Sequence, residues 1–222
     1  MMTVVPCPFC RDPIDVSSLI NGSVALHTCG AELLIRHRQT ESFALLQRGP
    51  HASLNTCIAL YADGGVIGSN PSLRGGTWAW CQVNAAGQRS CTNSGMITPD
   101  VAQMPAISNN LTELLALVEG LESLPEGWQG TIYSDSWVSL QRVFRHARLK
   151  NVPDWLVARL QALQKRGHLY QYGYSLLDGH PTKAELAVGR GKRGHPVSEH
   201  NVWCDQECNR LARAAQQNGG YP

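Results

Sequence analysis

Four acidic side chains carry the clearest chemical signal in the 222-residue chain: Asp63, Glu113, Asp135 and Asp205. Asp63 ends the apolar run Leu60-Tyr61-Ala62, and Asp135 ends the β-prone run Thr131-Ile132-Tyr133-Ser134. Glu113 opens a stretch of helical periodicity, and Asp205 sits early in a C-terminal one. Clustered carboxylates repel one another unless divalent cations neutralise them, and oxygen-only ligands suit magnesium or manganese. Two such ions flanking a phosphodiester can activate water and stabilise the leaving oxygen. Taken singly, each acid has an ordinary role: Asp63 as a turn residue before Gly64-Gly65, Glu113 as a first-turn acid favoured by the helix dipole, Asp205 on a solvated helix face. Their joint placement at element ends is what points to metal-assisted chemistry.

Elements must bring them together. Residues 56–62 read as a strand turning at Asp63-Gly64-Gly65, and residues 77–83 and 88–92 as antiparallel hairpin strands. Apolar residues at 111, 114, 115, 117, 118 and 121 predict a helix over 110–122. A strand over 131–134 follows, then helices over 136–148 and 153–166, a last strand over 169–177 and a final helix over 202–216. This order predicts a mixed α/β sheet flanked by helices. If its first and fourth strands are neighbours, Asp63 and Asp135 project side by side, and the two helical acids can face them.

A second group of residues lies before this domain. Cys7-Pro8-Phe9-Cys10 and His27-Thr28-Cys29-Gly30 form two knuckles whose thiolates and imidazole could close a tetrahedral structural Zn2+ site through Cys7, Cys10, His27 and Cys29. The pattern resembles a zinc ribbon, and the alternative is an arm with incidental cysteines. Gly49-Pro50 marks a boundary, so residues 1–50 are expected to form a small zinc-ribbon-like domain and 51–222 the main domain. The remaining cysteines, 57, 81, 91, 204 and 208, are expected to be packing thiols, and Trp137 and Trp155 core residues.

The local sequences around the four acids resemble the ribonuclease H family. The blocks are Leu60-Tyr61-Ala62-Asp63-Gly64-Gly65, Ser108-Asn109-Asn110-Leu111-Thr112-Glu113, Ile132-Tyr133-Ser134-Asp135-Ser136 and Asn201-Val202-Trp203-Cys204-Asp205 with Asn209-Arg210-Leu211-Ala212, in that order, with Gly75-Gly76-Thr77-Trp78-Ala79 opening the second strand. The resemblance spans about residues 56–216. It implies a ribonuclease H-like five-stranded mixed sheet flanked by helices and hydrolysis of the RNA strand of an RNA–DNA hybrid. It also implies that Asp63, Glu113, Asp135 and Asp205 hold two Mg2+ (or Mn2+) ions. Asn110 and Ser136 would contact the hybrid near the metals, with Asn201 a further substrate residue. Many members carry an auxiliary histidine after the last strand; here the loop is expanded, and both His180, at the strand end, and His195, before Pro196, are candidates, with His180 preferred because the strand end sets its distance from the acids. Two other readings stay open: a nuclease of this fold acting on another structured nucleic acid, and a nucleic-acid-binding module without turnover.

Charge is segregated. Residues 1–56 carry 4 basic and 4 acidic side chains, residues 57–134 carry 2 and 6, and residues 135–222 carry 13 and 7, within a net charge of +2. The basic surplus lies partly in Gly189-Arg190-Gly191-Lys192-Arg193-Gly194, read as a flexible loop whose Arg190, Lys192 and Arg193 could grip phosphates. Arg142, Arg145, Arg148 and Lys150 offer a second basic surface, whose alternative is a solvated helix face. A protein or a nucleic-acid duplex would be the ribbon's partner. No apolar run approaches a membrane span and no leader pattern opens the chain, so no membrane partner and a cytoplasmic location are expected.

Overall fold

The computed structural model describes residues 4–6, 12–18, 24–26, 32–37, 42–48, 57–125, 128–165 and 172–217. The chain divides into two compact units, residues 1–56 and 57–222. In the first unit, β1 (Val4–Pro6) pairs antiparallel with β2 (Pro13–Asp15), and β3 (Val24–Leu26), β4 (Glu32–His37) and β5 (Ser42–Arg48) form an antiparallel sheet. Val5, Ile14, Val16 and Ile35 are buried. Cys7, Cys10, His27 and Cys29 lie outside the described residues.

The second unit is built on β6 (Cys57–Val66), β7 (Gly76–Asn84) and β8 (Arg89–Ile97), an antiparallel meander. A short α1 (Pro99–Ala102) leads to α2 (Asn109–Glu122), then β9 (Thr131–Ser134), α3 (Trp137–Phe144), α4 (Asp154–Lys165), β10 (Gly173–Leu176), α5 (Lys183–Val188) and α6 (Glu199–Gln217). β9 pairs parallel with β6 and β10 parallel with β9, so the sheet order is β10-β9-β6-β7-β8. This is a mixed five-stranded sheet flanked by helices, the architecture that the sequence resemblance implies.

Alternation along β6 assigns its two faces. Leu60 and Ala62, with Trp80 of β7, pack under Leu111, Leu114, Leu115 and Val118 of α2 and Leu156, Leu160 and Leu163 of α4. Ala59 and Tyr61, with Ala79, Cys81 and Val83, pack under Cys204 and Cys208 of α6. Both faces of the centre are therefore covered, and Asp63, two residues past Tyr61, belongs to the α6 face.

Several expectations change. The strand does not turn at Asp63-Gly64-Gly65; it continues to Val66, paired with Gly76. The glycines serve a close approach instead: a Cβ at Gly64 would lie 2.3 Å from the Glu113 backbone nitrogen, and one at Gly76 would lie 2.4 Å from the Thr112 methyl. The first turn of α2 thus rests directly on the sheet. The helix expected over 136–148 stops at Phe144, because the amide of Gln164 takes the carbonyls of Arg142 (3.2 Å) and Val143 (3.1 Å). α5, inside the expanded loop, was not foreseen, although Thr182 and Glu185 form a capping box and Gly189 closes the helix at φ 77°. Trp137 is exposed and Trp155 half-buried; Cys91 is exposed and Cys57 half-buried, whereas Cys81, Cys204 and Cys208 are core thiols. Among the described residues no helix is long and apolar enough to cross a membrane.

Candidate active site

Asp63 reaches the site from the middle of the central strand. Its Oδ1 accepts a hydrogen bond from the Gly64 N–H at 2.7 Å, which fixes the carboxylate. Burial first, and then the neighbouring charges of Asp135, Asp205 and Glu113, hold its pKa well above the usual carboxylate range, against the opposing Gly64 N–H. Glu113 stands one helical turn into α2, where the Asn109 amide donates to its Oε1 at 2.7 Å. Burial, with Asp135 adding to it, pushes the Glu113 pKa up to about 7 despite the Ser136 hydroxyl and Asn109.

Asp135 follows β9 directly, beside β6 in the sheet. Burial raises its pKa, Asp205 adds to the rise, and His180 and Arg193 oppose it. Its Oδ1 is buried and has no hydrogen-bond partner, a costly arrangement for an isolated carboxylate. Asp205 projects from α6, its Oδ1 accepting from the Asn209 amide at 3.1 Å. His180 Nδ1 stands 3.8 Å from the same oxygen, on a residue with φ 53°.

These side chains line one pocket of about 250 Å³, together with Thr77, Asn109, Cys208 and Asn209. Among the described residues no lysine or arginine lines it. His180 lines this pocket, while His195 is not among the lining residues and meets the Gly191 N–H through its backbone carbonyl at 3.0 Å. Gly179 brings the strand exit close over Asp135: a Cβ there would press on the Asp135 carboxylate at Oδ2.

The other expected substrate residues are dispersed. Asn110 is exposed at the start of α2, whereas Ser136 is buried and caps α3 through Ser139. Asn201 is buried in α6, its Oδ1 unpartnered, and does not line the pocket. The stretch 189–194 is not a loose loop: Arg190 bridges Pro196, the Gly194 N–H bonds the Gly191 carbonyl, and Arg193 is held by Asp178. That last contact is double, the Arg193 backbone N–H to Asp178 Oδ2 at 2.9 Å and Nε to Oδ1 at 2.8 Å. Arg190 and Lys192 stay exposed. Of the second basic group, Arg145, Arg148 and Lys150 are exposed, but Arg142 is buried and donates to the Lys150 carbonyl at 3.1 Å.

Sequence reasoning missed Asn109, Asn209 and Asp178 as members of the site's framework. The first two were readable: each amide lies four residues from the acid it orients, one helical turn on the same face. Asp178 has no local signal, since its partner is 15 residues away across an inserted helix.

The donor set fits hard divalent cations, on two observations: a buried carboxylate oxygen without a partner, and four acids around a pocket without Lys or Arg. Among the described residues no three His, Cys, Asp or Glu side chains form an assembled metal cage. Magnesium does not require one, because it keeps several waters and takes one or two carboxylates plus substrate phosphate.

No protein-family model matches the chain, and no curated protein matches it. Among solved structures, the chain is similar to the N-terminal RNase H domain of Rv2228c from Mycobacterium tuberculosis, at 18% identity over 73% of this chain and 99% of that one, TM-score 0.48. It is also similar to LC11-RNase H1, isolated from compost by a metagenomic approach and solved in complex with an RNA/DNA hybrid, at 15% identity over 71% and 98%, TM-score 0.49. RNase H1 from Halobacterium salinarum NRC-1 is similar at 17% identity over 71% and 98%, TM-score 0.47.

Proposed function

We propose that the chain is a divalent-cation-dependent endoribonuclease that hydrolyses the RNA strand of RNA–DNA hybrids. The observation that carries this reading is a pocket lined by Asp63, Glu113, Asp135 and Asp205 and, among the described residues, by no Lys or Arg. Its ordered sequence blocks, which resemble the ribonuclease H family, supply the substrate class. Asp63, Glu113, Asp135 and Asp205 would hold two Mg2+ or Mn2+ ions, which when bound make water nucleophilic at neutral pH and stabilise charge on the leaving oxygen.

The chain's own residues provide position and proton handling. The Gly64 N–H, Asn109 and Asn209 each occupy one oxygen of an acid. His180, exposed beside Asp205, would take a proton from the attacking water side or give one to the departing oxygen. Asn110 and the α3 start at Ser136 would meet the hybrid's groove and 2′-hydroxyls. Arg190 and Lys192 would meet phosphates, while Arg193 braces the turn that presents them. In the first unit, Cys7, Cys10, His27 and Cys29 would hold a structural Zn2+.

The test is cleavage of labelled RNA–DNA hybrid, RNA duplex and DNA duplex by the full chain in Mg2+ and in EDTA. Hybrid RNA should be cut only with Mg2+, and Asp135→Asn should lower the rate at least ~100-fold, the consequence of losing several kcal/mol of charge stabilisation. Cleavage of a DNA duplex with the hybrid left intact overturns the assignment.

A further inference from the structure

The acidic pocket does not end at Asp205. A second groove, of about 540 Å³, is lined by Asp205, Gln206, Asn209, Arg210, Arg213, Ala214 and Gln217, all on α6. Asp205 and Asn209 line both cavities, so the two adjoin. On its other side the acidic pocket shares His180 with a cavity of about 300 Å³ whose lining includes Lys192 and Arg193. A furrow thus runs from the inserted turn, over the four acids, and along the last helix.

We propose that the α6 stretch of this furrow binds the phosphodiester backbone of the nucleic acid beyond the scissile position, with Arg213 as its principal contact; this rests on the nuclease reading of the acidic pocket. The spacing supports it. Asp205, Asn209 and Arg213 follow one another at four-residue intervals, and Gln206, Arg210, Arg213 and Gln217 repeat at intervals of four, three and four, so they form one continuous stripe. At about 1.5 Å per residue, Arg213 lies roughly 12 Å along the helix from Asp205, within reach of backbone phosphates one or two nucleotides from the acids. Apart from Asp205 at its head and the small Ala214, every described lining side chain carries amide or guanidinium donors, the chemistry that recognises phosphate oxygens without reading sequence.

The two arginines are not equivalent. Arg210 is held by Glu207 through Nε at 2.8 Å and Nη2 at 2.7 Å, so its charge is largely satisfied. Arg213 is exposed, and no carboxylate among the described residues pairs with it. The lack of a competing carboxylate is what singles it out for an external anion.

The experiment is equilibrium binding of the full chain to a fluorescently labelled RNA–DNA hybrid, read by anisotropy between 50 and 200 mM salt, alongside steady-state cleavage in Mg2+. Arg213→Gln should weaken binding and raise KM about three- to tenfold, leave kcat within about twofold, and lower the slope of log K against log[salt] by about 0.7–0.9, the signature of one lost phosphate contact. Arg213→Lys should restore most of the slope. Because Arg213 is exposed, its variant should melt like the parent. An unchanged slope and KM in Arg213→Gln overturns the groove assignment even if the parent cuts hybrid. A parent that binds hybrid with an Arg213-dependent slope yet does not cut it supports the groove and overturns the nuclease reading. A parent that does not bind hybrid overturns both.

Discussion

Glu113 couples the site's protons to the stability of the fold. With a folded pKa of about 7 against an ordinary 4.5, it binds more proton in the folded than in the unfolded state across that window. Stability therefore falls as pH rises from 4.5 towards 7 and stays reduced above it, the reverse of an acid held in a salt bridge. Burial of Asp63 and Asp135 acts in the same direction. At 1.36 kcal/mol per unit, the Glu113 shift alone corresponds to roughly 3 kcal/mol. In EDTA, thermal melts should show the parent losing stability between about pH 5 and pH 8, and Glu113→Gln melting above the parent at pH 8 but not at pH 4.5. Added Mg2+ should reverse the order, stabilising the parent more than the variant, because a ligand that binds only the folded state shifts the equilibrium by mass action. A Glu113→Gln protein that melts lower at pH 8 in EDTA would show that its hydrogen bonds outweigh the repulsion. The same scale separates the two histidines: His180→Ala should lower kcat at least ~10-fold, whereas His195→Ala, whose side chain is absent from the pocket lining, should leave kcat close to the parent.

Elements place those residues, and two contacts between elements are decisive. The first turn of α2 lies so close to β6 that a methyl on Gly64 meets backbone rather than a side chain that can rotate away. Gly64→Ala should therefore cost more than ordinary overpacking, about 3 kcal/mol or above, and depress the melting temperature without any change of charge. The second contact is the Asp178–Arg193 clamp that closes the inserted α5 turn back onto the end of β10. Burial would raise the Asp178 pKa, but the Arg193 backbone N–H and guanidinium overcome it and hold it below the usual value. Asp178→Ala should free the turn that carries Lys192 and His180, lowering kcat about tenfold. Asp178→Asn, which keeps an acceptor for the Arg193 backbone, should recover part of it; equal losses in both variants would count against a positioning role. Strand and helix identity was legible here because period-2 and period-3.6 patterns are strong in residues 57–83 and 110–122. What was not legible was tertiary: Asp63-Gly64-Gly65 looks locally like a turn, and only the helix lying across it explains why the strand continues. α5 was hidden differently, since its capping box stands in a stretch read as loop because of the glycines and basic residues around it.

At the scale of the whole chain, the near-neutral total conceals an acidic pocket flanked by basic side chains on the inserted turn and on α6. The four acids were legible because each sits in a distinctive local block. The α6 groove was not, because an arginine on an amphipathic helix reads as solvated surface until a cavity is seen to join it to the acids. The first unit poses the complementary case. Within 56 residues it has short strands and, among the described residues, a small apolar core of Val5, Ile14, Val16 and Ile35. A core of that size leaves a small stability margin that natural small domains often raise with a disulfide, a metal or a partner, and Cys7, Cys10, His27 and Cys29 have the spacing by which a zinc ion would raise it. Elemental analysis of the full chain purified without chelator should find about one zinc per chain, and the paired substitution Cys7→Ser with Cys10→Ser should remove it. Because the four acids all belong to the second unit, the zinc-free variant should keep its kcat on hybrid and lose protection from proteolysis only within residues 1–56. Zinc-free parent protein with the same protection would show that the first unit is held by its strands alone.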